Sequence, residues 1–368
     1  MIIHQIQISD YRNLSFLDFR PIPHTNVIFG ENAQGKTNLL EAMWIFTGGH
    51  SFRGAKDSEL IAFEKDSLQL QLQFFSQQRE QNAKINMTAG KRSVIINGVP
   101  KNSSALVGKF CAVVFSPEHL ALVKDGPAHR RNFIDTGLCQ SRPAFAKVFM
   151  RYNKTLAQRN TLLKEIVRHP ELSDTLEIWD EKLVYYGASI VMQRLDYLRK
   201  LTPAAQQIYY GISSGKEQFS LAYESSFLKD DFADIEGRFL QKLKVSRKAD
   251  LTVGYTTVGP HRDDISFLIN RVPVRTFGSQ GQQRSVTLAL KLAESQVMEQ
   301  LTGEKPVMFL DDVMSELDEN RQDYILNHLK EQQVFITCCD PDAIRRLDKG
   351  ALFQIHGGAL KQQSVLDG

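Results

Sequence analysis

The sequence has few cysteines, and none of them stands in a metal-binding pattern. Its 368 residues include 4 cysteines, at Cys111, Cys139, Cys338 and Cys339. No Cys-x-x-Cys spacing occurs, and Cys338 and Cys339 follow an apolar run that is typical of a strand. This usage argues against a zinc site or a disulfide framework and favours a reducing compartment.

Long apolar runs are also missing. No stretch of about 18 apolar residues occurs, so the sequence predicts no membrane-spanning helix. The N-terminus alternates polar and apolar residues, with Ile2, Ile6 and Ile8 as the apolar ones, and lacks the basic start and apolar core of a signal peptide. We therefore expect a cytoplasmic protein.

Neither sign of charge dominates. Lysine and arginine total 45 and aspartate and glutamate 42, for a formal charge of +3. Attraction to nucleic acid or to a membrane must therefore come from local patches. The hydrophobic content of 42% and the charged content of 24% are those of an ordinary folded protein.

The periodicity of apolar residues divides the chain into three stretches. Residues 1–114 show strand alternation, interrupted by one helix from about Lys36 to Phe46. From about Pro117 to Lys248 the period is helical, with Pro203 among the predicted helix breaks, and strand patterns return after it. We predict an α/β lobe built from residues 1–116 and 250–368, with a helical lobe of residues 117–249 inserted between them.

One segment matches the phosphate-loop pattern G-x-x-x-x-G-K-[ST]. It runs between an apolar strand and a helix and consists of Gly30, Glu31, Asn32, Ala33, Gln34, Gly35, Lys36 and Thr37. In such a loop, backbone N–H groups at the helix start face the phosphates of a nucleotide, the lysine reaches the β and γ phosphates, and the threonine can ligate Mg²⁺. The segment predicts ATP and Mg²⁺ as cofactors, and the flanking strand and helix argue against a plain glycine turn.

A pair of carboxylates follows another buried run. Residues 307–310 are apolar and are followed by Asp311 and Asp312. We expect Asp311 to hold Mg²⁺ and Asp312 to orient or deprotonate the attacking water. A solvated strand end is the alternative for either residue alone, but the phosphate loop favours the catalytic interpretation.

A second helix start also has the features of an anion site. Ser279 and Gly281 stand at the N-terminal end of an apolar-striped helix that is predicted from about Gln282 to Leu301. One protein seldom needs two anion-binding helix starts for a single phosphate chain. The pattern makes sense if two protomers face each other, each placing its Ser279 helix over the nucleotide held by the other.

These motifs resemble those of the ABC-type ATPases of the SMC and Rad50 class. The phosphate loop, a signature loop at Ser279, Gly281 and Gln282, the strand ending in Asp311, and a D-loop occur in the family's order. The D-loop consists of Ser315, Glu316, Leu317 and Asp318. The resemblance implies a P-loop ATPase head of mixed and antiparallel strands with an inserted helical lobe. It also implies that Asn38, Gly281, Gln282 and Asp318 help to bind nucleotide.

Further strings are similar to those of the bacterial recombination mediators within that class. They include Tyr11-Arg12-Asn13-Leu14, residues 115–118, residues 130–135 and residues 259–264. This similarity implies a dimeric clamp on DNA, either duplex or at single-strand/duplex junctions, with a slow DNA-stimulated ATPase as its switch. It further implies work with RecO and RecR to load the recombinase RecA on gapped DNA.

The chain departs from the general ABC pattern at three places. Asp312 stands where most members have glutamate, which is one methylene longer. No histidine follows the last core strand, which ends at Cys338 and Cys339, and no glutamine stands near residues 115–118. We therefore expect slow hydrolysis and assign neither the switch histidine nor the Q-loop role.

A basic ridge is the candidate DNA contact. Lys147, Arg151 and Lys154 fall on one face of a predicted helix, opposite its apolar residues. Such a ridge can neutralise phosphates without reading bases. A solvated helix face is the other interpretation, and the resemblance favours DNA.

Two other basic positions keep alternative interpretations. Arg53 either touches nucleotide or DNA or pairs with Asp57 or Glu59. Arg12 and Asn13 either flank the adenine or form an exposed turn.

Two other classes of protein share parts of this pattern. An SMC-like structural tether needs a long coiled coil, which the helical stretch is too short to form. A small-molecule phosphotransferase uses the same loop but has no need of a signature helix.

Overall fold

The computed structural model describes residues 1–88, 90–228, 233–314, 317–340 and 349–366. Its strands are β1 (Ile2–Tyr11), β2 (Leu14–Phe19), β3 (Thr25–Phe29), β4 (Ser67–Ser76), β5 (Arg79–Thr88), β6 (Lys91–Ile96), β7 (Val99–Lys101), β8 (Ala112–Phe115), β9 (Phe219–Glu224), β10 (Asp264–Ile269), β11 (Val272–Pro273), β12 (Val307–Asp311), β13 (Val334–Cys338), β14 (Gly350–His356) and β15 (Ala359–Leu366). Its helices are α1 (Lys36–Trp44), α2 (Ala121–Lys124), α3 (Pro127–Ser141), α4 (Pro143–Ile166), α5 (Leu176–Ile212), α6 (Ile235–Val253), α7 (Val274–Phe277), α8 (Gln280–Thr302) and α9 (Glu319–His328).

The chain packs as two compact units. The first comprises Met1–Leu120, Ile208–Lys216 and Thr287–Gly368, and the second comprises Ala121–Gln207 and Glu217–Val286. The sequence predicted boundaries at 116/117 and 249/250 instead. Residues 264–273 pack with the second unit because β10 pairs antiparallel with β9 and with β11.

The first unit contains two six-stranded sheets. One is antiparallel, in the order β2-β1-β4-β5-β6-β7, and the other is mixed, in the order β15-β14-β3-β13-β12-β8. In the mixed sheet β14, β3, β13, β12 and β8 are parallel neighbours, and β15 is antiparallel at the edge. The mixed sheet and the antiparallel strands are those of the predicted fold class.

Helix α1 supplies part of the core shared by both sheets. Its apolar residues Leu39, Leu40 and Met43 are fully buried in one cluster with Ile6 of the antiparallel sheet and Phe335 of the mixed sheet. Two adjacent sheets with apolar faces need such a filling layer. The packing fixes the helix, and with it the loop that precedes it.

Two predictions for the helical stretch were wrong in detail. Residues 219–224 form β9 rather than helix, because they pair with β10 along its whole length, with Phe219 opposite Ile269. Pro203 lies inside α5 and does not end it. The loss of one N–H donor at Pro203 is tolerated because the buried face continues through Ala205 and Ile208.

Candidate functional site

The candidate site lies where three neighbouring parallel strands end. Strands β3, β13 and β12 are adjacent, and they end at Phe29, Cys338 and Asp311. The carboxyl edge of a parallel sheet is where open α/β folds bind ligands. This topology places the phosphate loop, Asp311 and Thr337 at one edge.

Both glycines of the loop adopt backbone conformations that favour glycine. Gly30 has φ +150°, and a Cβ there would lie 2.3 Å from the carbonyl oxygen of Ile355. Gly35 has φ +110°, and its Cβ would lie 2.7 Å from Leu14 Cδ2. The two glycines of the motif therefore allow both the turn and its close approach to neighbouring strands.

Side-chain amides hold the loop in shape. Asn13 Nδ2 donates to the Ala33 carbonyl at 2.9 Å, and Asn38 Nδ2 donates to Asn13 Oδ1 at 2.7 Å. Gln34 Oε1 accepts the N–H of Gly357 at 2.5 Å. The loop is thus anchored to the turn after β1 and to the β14–β15 hairpin. In this conformation Asn13 and Asn38 stabilise the loop.

Lys36 folds back over the loop. Its side chain is 4% exposed, and its Nζ donates to the carbonyls of Gly30 at 2.6 Å and Glu31 at 3.0 Å. The Cys339 thiol donates to Asn32 Oδ1 at 3.1 Å beside it. A lysine held here has its charge at the centre of the loop, where a phosphate chain would replace the carbonyls as acceptor.

Asp311 receives two hydroxyl hydrogen bonds on one oxygen. Thr37 Oγ1 donates to Asp311 Oδ1 at 2.9 Å, and Thr337 Oγ1 donates to the same oxygen at 2.8 Å. Because Asp311 is the last residue of β12 and Thr337 lies opposite it in β13, the parallel register produces the second contact. The structure therefore brings together Thr37 and Asp311, the two predicted metal ligands.

The charge on Asp311 is costly in this position. Burial raises the pKa of Asp311 to about 6, and the negative charges of Asp312 and Glu118 add to the shift, whereas the hydrogen bonds from Thr337 and Thr37 oppose it. A carboxylate destabilised in this way gains from a nearby cation.

Asp312 leaves the strand in a left-handed conformation. Its φ is +53°, and its N–H donates to Thr337 Oγ1 at 2.9 Å. Thr337 thus contacts both acidic residues, by donating to one and accepting from the other. The hydrogen bond to Thr337 therefore holds the backbone of Asp312 at the turn that follows β12.

The oxygens at this edge are suitable for Mg²⁺. This ion prefers oxygen ligands and is usually bound by one or two carboxylates together with substrate phosphates. Thr37 Oγ1 and Asp311 Oδ1 lie 2.9 Å apart beside the loop. Within the described ranges no cluster of three or more His, Cys, Asp or Glu side chains could hold a metal without such phosphates.

Ser279 caps its own helix. Its Oγ accepts the N–H of Gln282 at 3.2 Å, and Gln282 Oε1 accepts the N–H of Ser279 at 2.8 Å. This reciprocal pair is a capping box. Ser279, Gly281 and Gln282 therefore form an ordered, partly exposed helix start in the second unit.

The predicted D-loop is only partly described. Ser315 and Glu316 lie outside the described residues. Leu317 is buried, and Asp318 caps α9 by accepting the N–H of Arg321 at 3.1 Å. This contact stabilises the start of α9, and the role of Asp318 in nucleotide binding stays a prediction.

A family model describes nearly the whole chain. Residues 2–357 match the RecF/RecN/SMC N-terminal domain. A protein from Agathobacter rectalis, described as "DNA replication and repair protein RecF", is 43% identical over 100% of both chains, and one of the same description from Lachnoclostridium phytofermentans is 37% identical over 98% of this chain and 100% of its own. The chain belongs to the RecF family.

Solved structures agree with this placement. A structure described as RecF-ATP in the RecFOR pathway has a TM-score of 0.91 and 36% identity, covering 99% of this chain and 97% of that one. An SMC head domain from Pyrococcus furiosus has a TM-score of 0.57 at 14% identity, covering 100% of this chain and 96% of that one, and shows the fold alone. The predicted ABC-type α/β class is confirmed.

Arg12 and Arg53 lie beside the loop of this RecF-family chain but contact other residues. Arg12 Nε donates to Glu41 Oε2 at 2.5 Å and its Nη2 donates to Glu41 Oε1 at 3.1 Å, which ties the turn after β1 to helix α1. Arg53 Nη1 donates to Asn38 Oδ1 at 3.1 Å, whereas Asp57 is paired with Arg92. Among the described residues Arg53 forms no ion pair with Asp57 or Glu59, and its contact with nucleotide or DNA stays a prediction.

The predicted basic ridge lies on an exposed helix face. Lys147, Arg151 and Lys154 are all exposed on α4, and Tyr152 on the other side of that helix is buried. Arg159, another basic residue of the same helix, is 0% exposed and bonds Asp180 and Asp250. Arg159 is therefore not available to the DNA contact that is predicted for the ridge.

Sequence reasoning missed two residues at the site. Thr337 ends an apolar run, and only the register of β12 with β13 reveals its place beside Asp311. Glu118 follows β8, whose residue Phe115 pairs with Leu310, and its charge acts on Asp311.

No helix in the described part of the chain is long and apolar enough to span a membrane.

Proposed function

We propose that this chain is an ATP-dependent DNA clamp that acts in recombinational repair and replication restart in the cytoplasm. The observation that carries the proposal is the hydrogen bond from Thr37, the last residue of a complete phosphate loop, to Asp311. It is supported by relatives described as DNA replication and repair proteins and by a solved relative described as RecF-ATP.

The loop residues would bind the triphosphate. Backbone N–H groups of residues 30–37 face the phosphates, and the Lys36 ammonium exchanges its loop carbonyls for phosphate oxygens. Thr37 and Asp311 would hold Mg²⁺, which supplies positive charge to the β and γ phosphates. Because burial disfavours the Asp311 carboxylate, that residue gains most from the cation.

Asp312 would serve as the base that orients the attacking water. It is one methylene shorter than the glutamate of the wider class, so its carboxylate reaches less far from the strand end. Thr337 fixes the Asp312 backbone and limits compensation by movement. Slow hydrolysis is suitable for a switch in which bound ATP keeps the clamp closed and hydrolysis of that ATP opens it.

Ser279, Gly281 and Gln282 would complete the site of a second protomer. Ser279 is an exposed N-cap at the positive end of a long helix. The chain has one candidate phosphate-binding element in each unit. If two copies associate around two ATP molecules, each ATP would contact the phosphate loop of one copy and the Ser279 helix start of the other. ATP-dependent homodimerisation therefore belongs to the proposal.

The dimer would retain duplex DNA or a single-strand/duplex junction. The exposed ridge of Lys147, Arg151 and Lys154 supplies three cations without carboxylate partners among the described residues. As the resemblance implies, the clamp would help RecO and RecR to load RecA on gapped DNA. A structural tether is disfavoured because the longest helix described, α5 with 37 residues, spans only about 55 Å.

The experiment is retention of a gapped duplex by the wild-type protein with and without ATP, beside Ser279→Arg. We expect ATP to increase retention by the wild type and not by Ser279→Arg. Equal retention without nucleotide would contradict the clamp. ATP-dependent modification of a small molecule without effect on DNA would favour the phosphotransferase.

A further inference from the structure

A cavity lined by both polar and apolar residues lies within the second unit. Its volume is about 250 Å³, and residues of α3, α4 and α5 together with His261 line it. A water takes up about 30 Å³ of the liquid. The cavity therefore has room for a group of phosphate size with some of its hydration.

The deepest cation in the cavity is already neutralised. Arg194, 2% exposed, donates to both carboxylate oxygens of Asp135, at 2.8 and 2.7 Å, and to the Pro260 carbonyl at 2.7 Å. These bonds engage all three nitrogens of its guanidinium, so Arg194 shapes the floor of the cavity and adds positive potential.

His261 is also occupied, and it is neutral. Its Nε2 donates to the Thr256 carbonyl at 3.0 Å, so its Nδ1 accepts the Tyr152 hydroxyl at 2.7 Å. Burial lowers the pKa of His261 to about 4, with the charges of Arg262, Arg131 and Arg194 adding to the shift. The ring contributes shape and no charge near neutral pH.

Arg131 differs from both because no carboxylate among the described residues forms a direct ion pair with its guanidinium. Within the described residues its guanidinium makes one hydrogen bond, from Nη1 to the Asp263 carbonyl at 2.7 Å. Three nearby carboxylates act on Arg131 through their charge but bond elsewhere: Asp135 to Arg194, Asp264 to Arg130, and Asp263 to Tyr223 and Ser226. Burial and the neighbouring charge of Arg194 lower the pKa of Arg131.

The mouth of the cavity carries two amides beside this cation. Asn132 and Asn153 are exposed there, and neither has a side-chain partner in the described parts of the chain. A guanidinium with free N–H groups and two amide donors matches the acceptors of a phosphate group. A ligand oxyanion would form the direct ion pair that no described carboxylate makes with Arg131.

We propose that this cavity binds one phosphate group through Arg131, Asn132 and Asn153. The phosphate comes either from DNA, in which case the site rests on the proposed function and extends it, or from free phosphate. The cavity lies on the side of α4 opposite Lys147, Arg151 and Lys154, because Tyr152 and Asn153 line it. The two candidate phosphate contacts can therefore be tested separately.

The first arm of the test measures the Tm of the protein in inorganic phosphate against chloride of equal ionic strength. The variants are Arg131→Gln and Asn153→Asp, with Gln158→Glu as control, since it adds the same charge to an exposed position of α4. Asn153→Asp is included because Arg131→Gln also loses its bond to Asp263. We expect both cavity variants, and not the control, to lose part of the stabilisation by phosphate.

The second arm measures duplex affinity with ATP present at several salt concentrations. A fall of about 0.9 in the slope of log affinity against log salt in Arg131→Gln assigns the phosphate to DNA. An unchanged slope with a lost phosphate response assigns it to free phosphate. Variants that match the wild type in both arms overturn the cavity site and leave the clamp proposal standing. Absence of ATP-dependent DNA binding by the wild type contradicts the clamp alone.

Discussion

Thr337 lies directly beside Asp311 in the parallel pairing of β12 with β13, and its hydroxyl donates a 2.8 Å hydrogen bond to Asp311 Oδ1. The same hydroxyl accepts the N–H of Asp312 at 2.9 Å. One side chain therefore positions the proposed metal ligand and the proposed base together.

Replacing that hydroxyl should disturb both acidic residues. Thr337→Val keeps the shape but leaves the Asp312 N–H without this acceptor and removes one donor from Asp311, which should cost about 1–3 kcal/mol of unfolding free energy. Mg²⁺-dependent ATP affinity should fall as well. Thr337→Ser should retain both properties. Urea unfolding and nucleotide titration measure them, and equal behaviour of the two variants would deny Thr337 this role.

Ser279 should have a role beyond capping its helix. Ser279→Ala should lose about 1 kcal/mol through the missing cap, whereas Ser279→Asn should keep the cap and the stability. We expect Ser279→Asn and Ser279→Arg to bind ATP as monomers and to lose the turnover that depends on two protomers.

Mixing gives the control for the arrangement between protomers. Ser279→Arg protein mixed with Lys36→Ala protein can rebuild at most one complete site in each dimer. If Ser279→Arg monomers lose ATP affinity as severely as Lys36→Ala, the signature acts within its own chain and the two-protomer site is wrong.

The buried ring of His261 should make stability depend on pH. Its pKa of about 4 lies below the ordinary value of 6.5, so between these values the unfolded chain binds a proton that the native protein excludes. The wild type should therefore lose stability relative to His261→Gln as pH falls from about 6.5 towards 4. Urea unfolding across that range tests this, and a difference that does not change with pH would contradict the neutral, hydrogen-bonded ring.

The ridge on α4 should contribute to DNA affinity through charge alone. Changing Lys147, Arg151 and Lys154 together to Gln should reduce the slope of log affinity against log salt by nearly 3 on duplex DNA, at about 0.9 for each lost contact. Base sequence should matter little, and ATP-driven dimerisation should survive.

A matched control for the ridge is available on α6. Lys242, Lys244 and Lys248 are exposed there, and changing them to Gln removes the same charge. An equal fall in slope for both triple variants would indicate general attraction. An unchanged slope for the α4 variant would indicate that the ridge is a solvated helix face without DNA contacts.

Local patterns were sufficient to predict the parts of the site that depend on neighbouring residues in sequence. The phosphate loop, the strand that ends in Asp311 and the helix that follows Ser279 each have their own spacing of glycine, apolar and charged residues. Strand order then brings the first two together, and the bond from Thr37 to Asp311 is the contact that their motifs imply.

Long-range pairing explains what sequence reasoning missed. Thr337 becomes significant only through its register with Asp311, and β9 becomes a strand only because β10 lies beside it. Arg159 is a further case, because this basic residue of α4 is held in the interior by Asp180 and Asp250. Neither partner could be identified from local sequence.

The central claim is that ATP held by this loop joins two copies of the chain. The most direct measurement is the molecular mass in solution of the wild type, Lys36→Ala and Asp312→Asn, each with and without ATP and Mg²⁺. We expect the wild type and Asp312→Asn to become dimers with ATP, Asp312→Asn to remain dimeric longer, and Lys36→Ala to stay a monomer while keeping the wild-type Tm without nucleotide. ATP-driven dimerisation of a folded Lys36→Ala protein, or a wild type whose mass does not respond to ATP, would contradict the account.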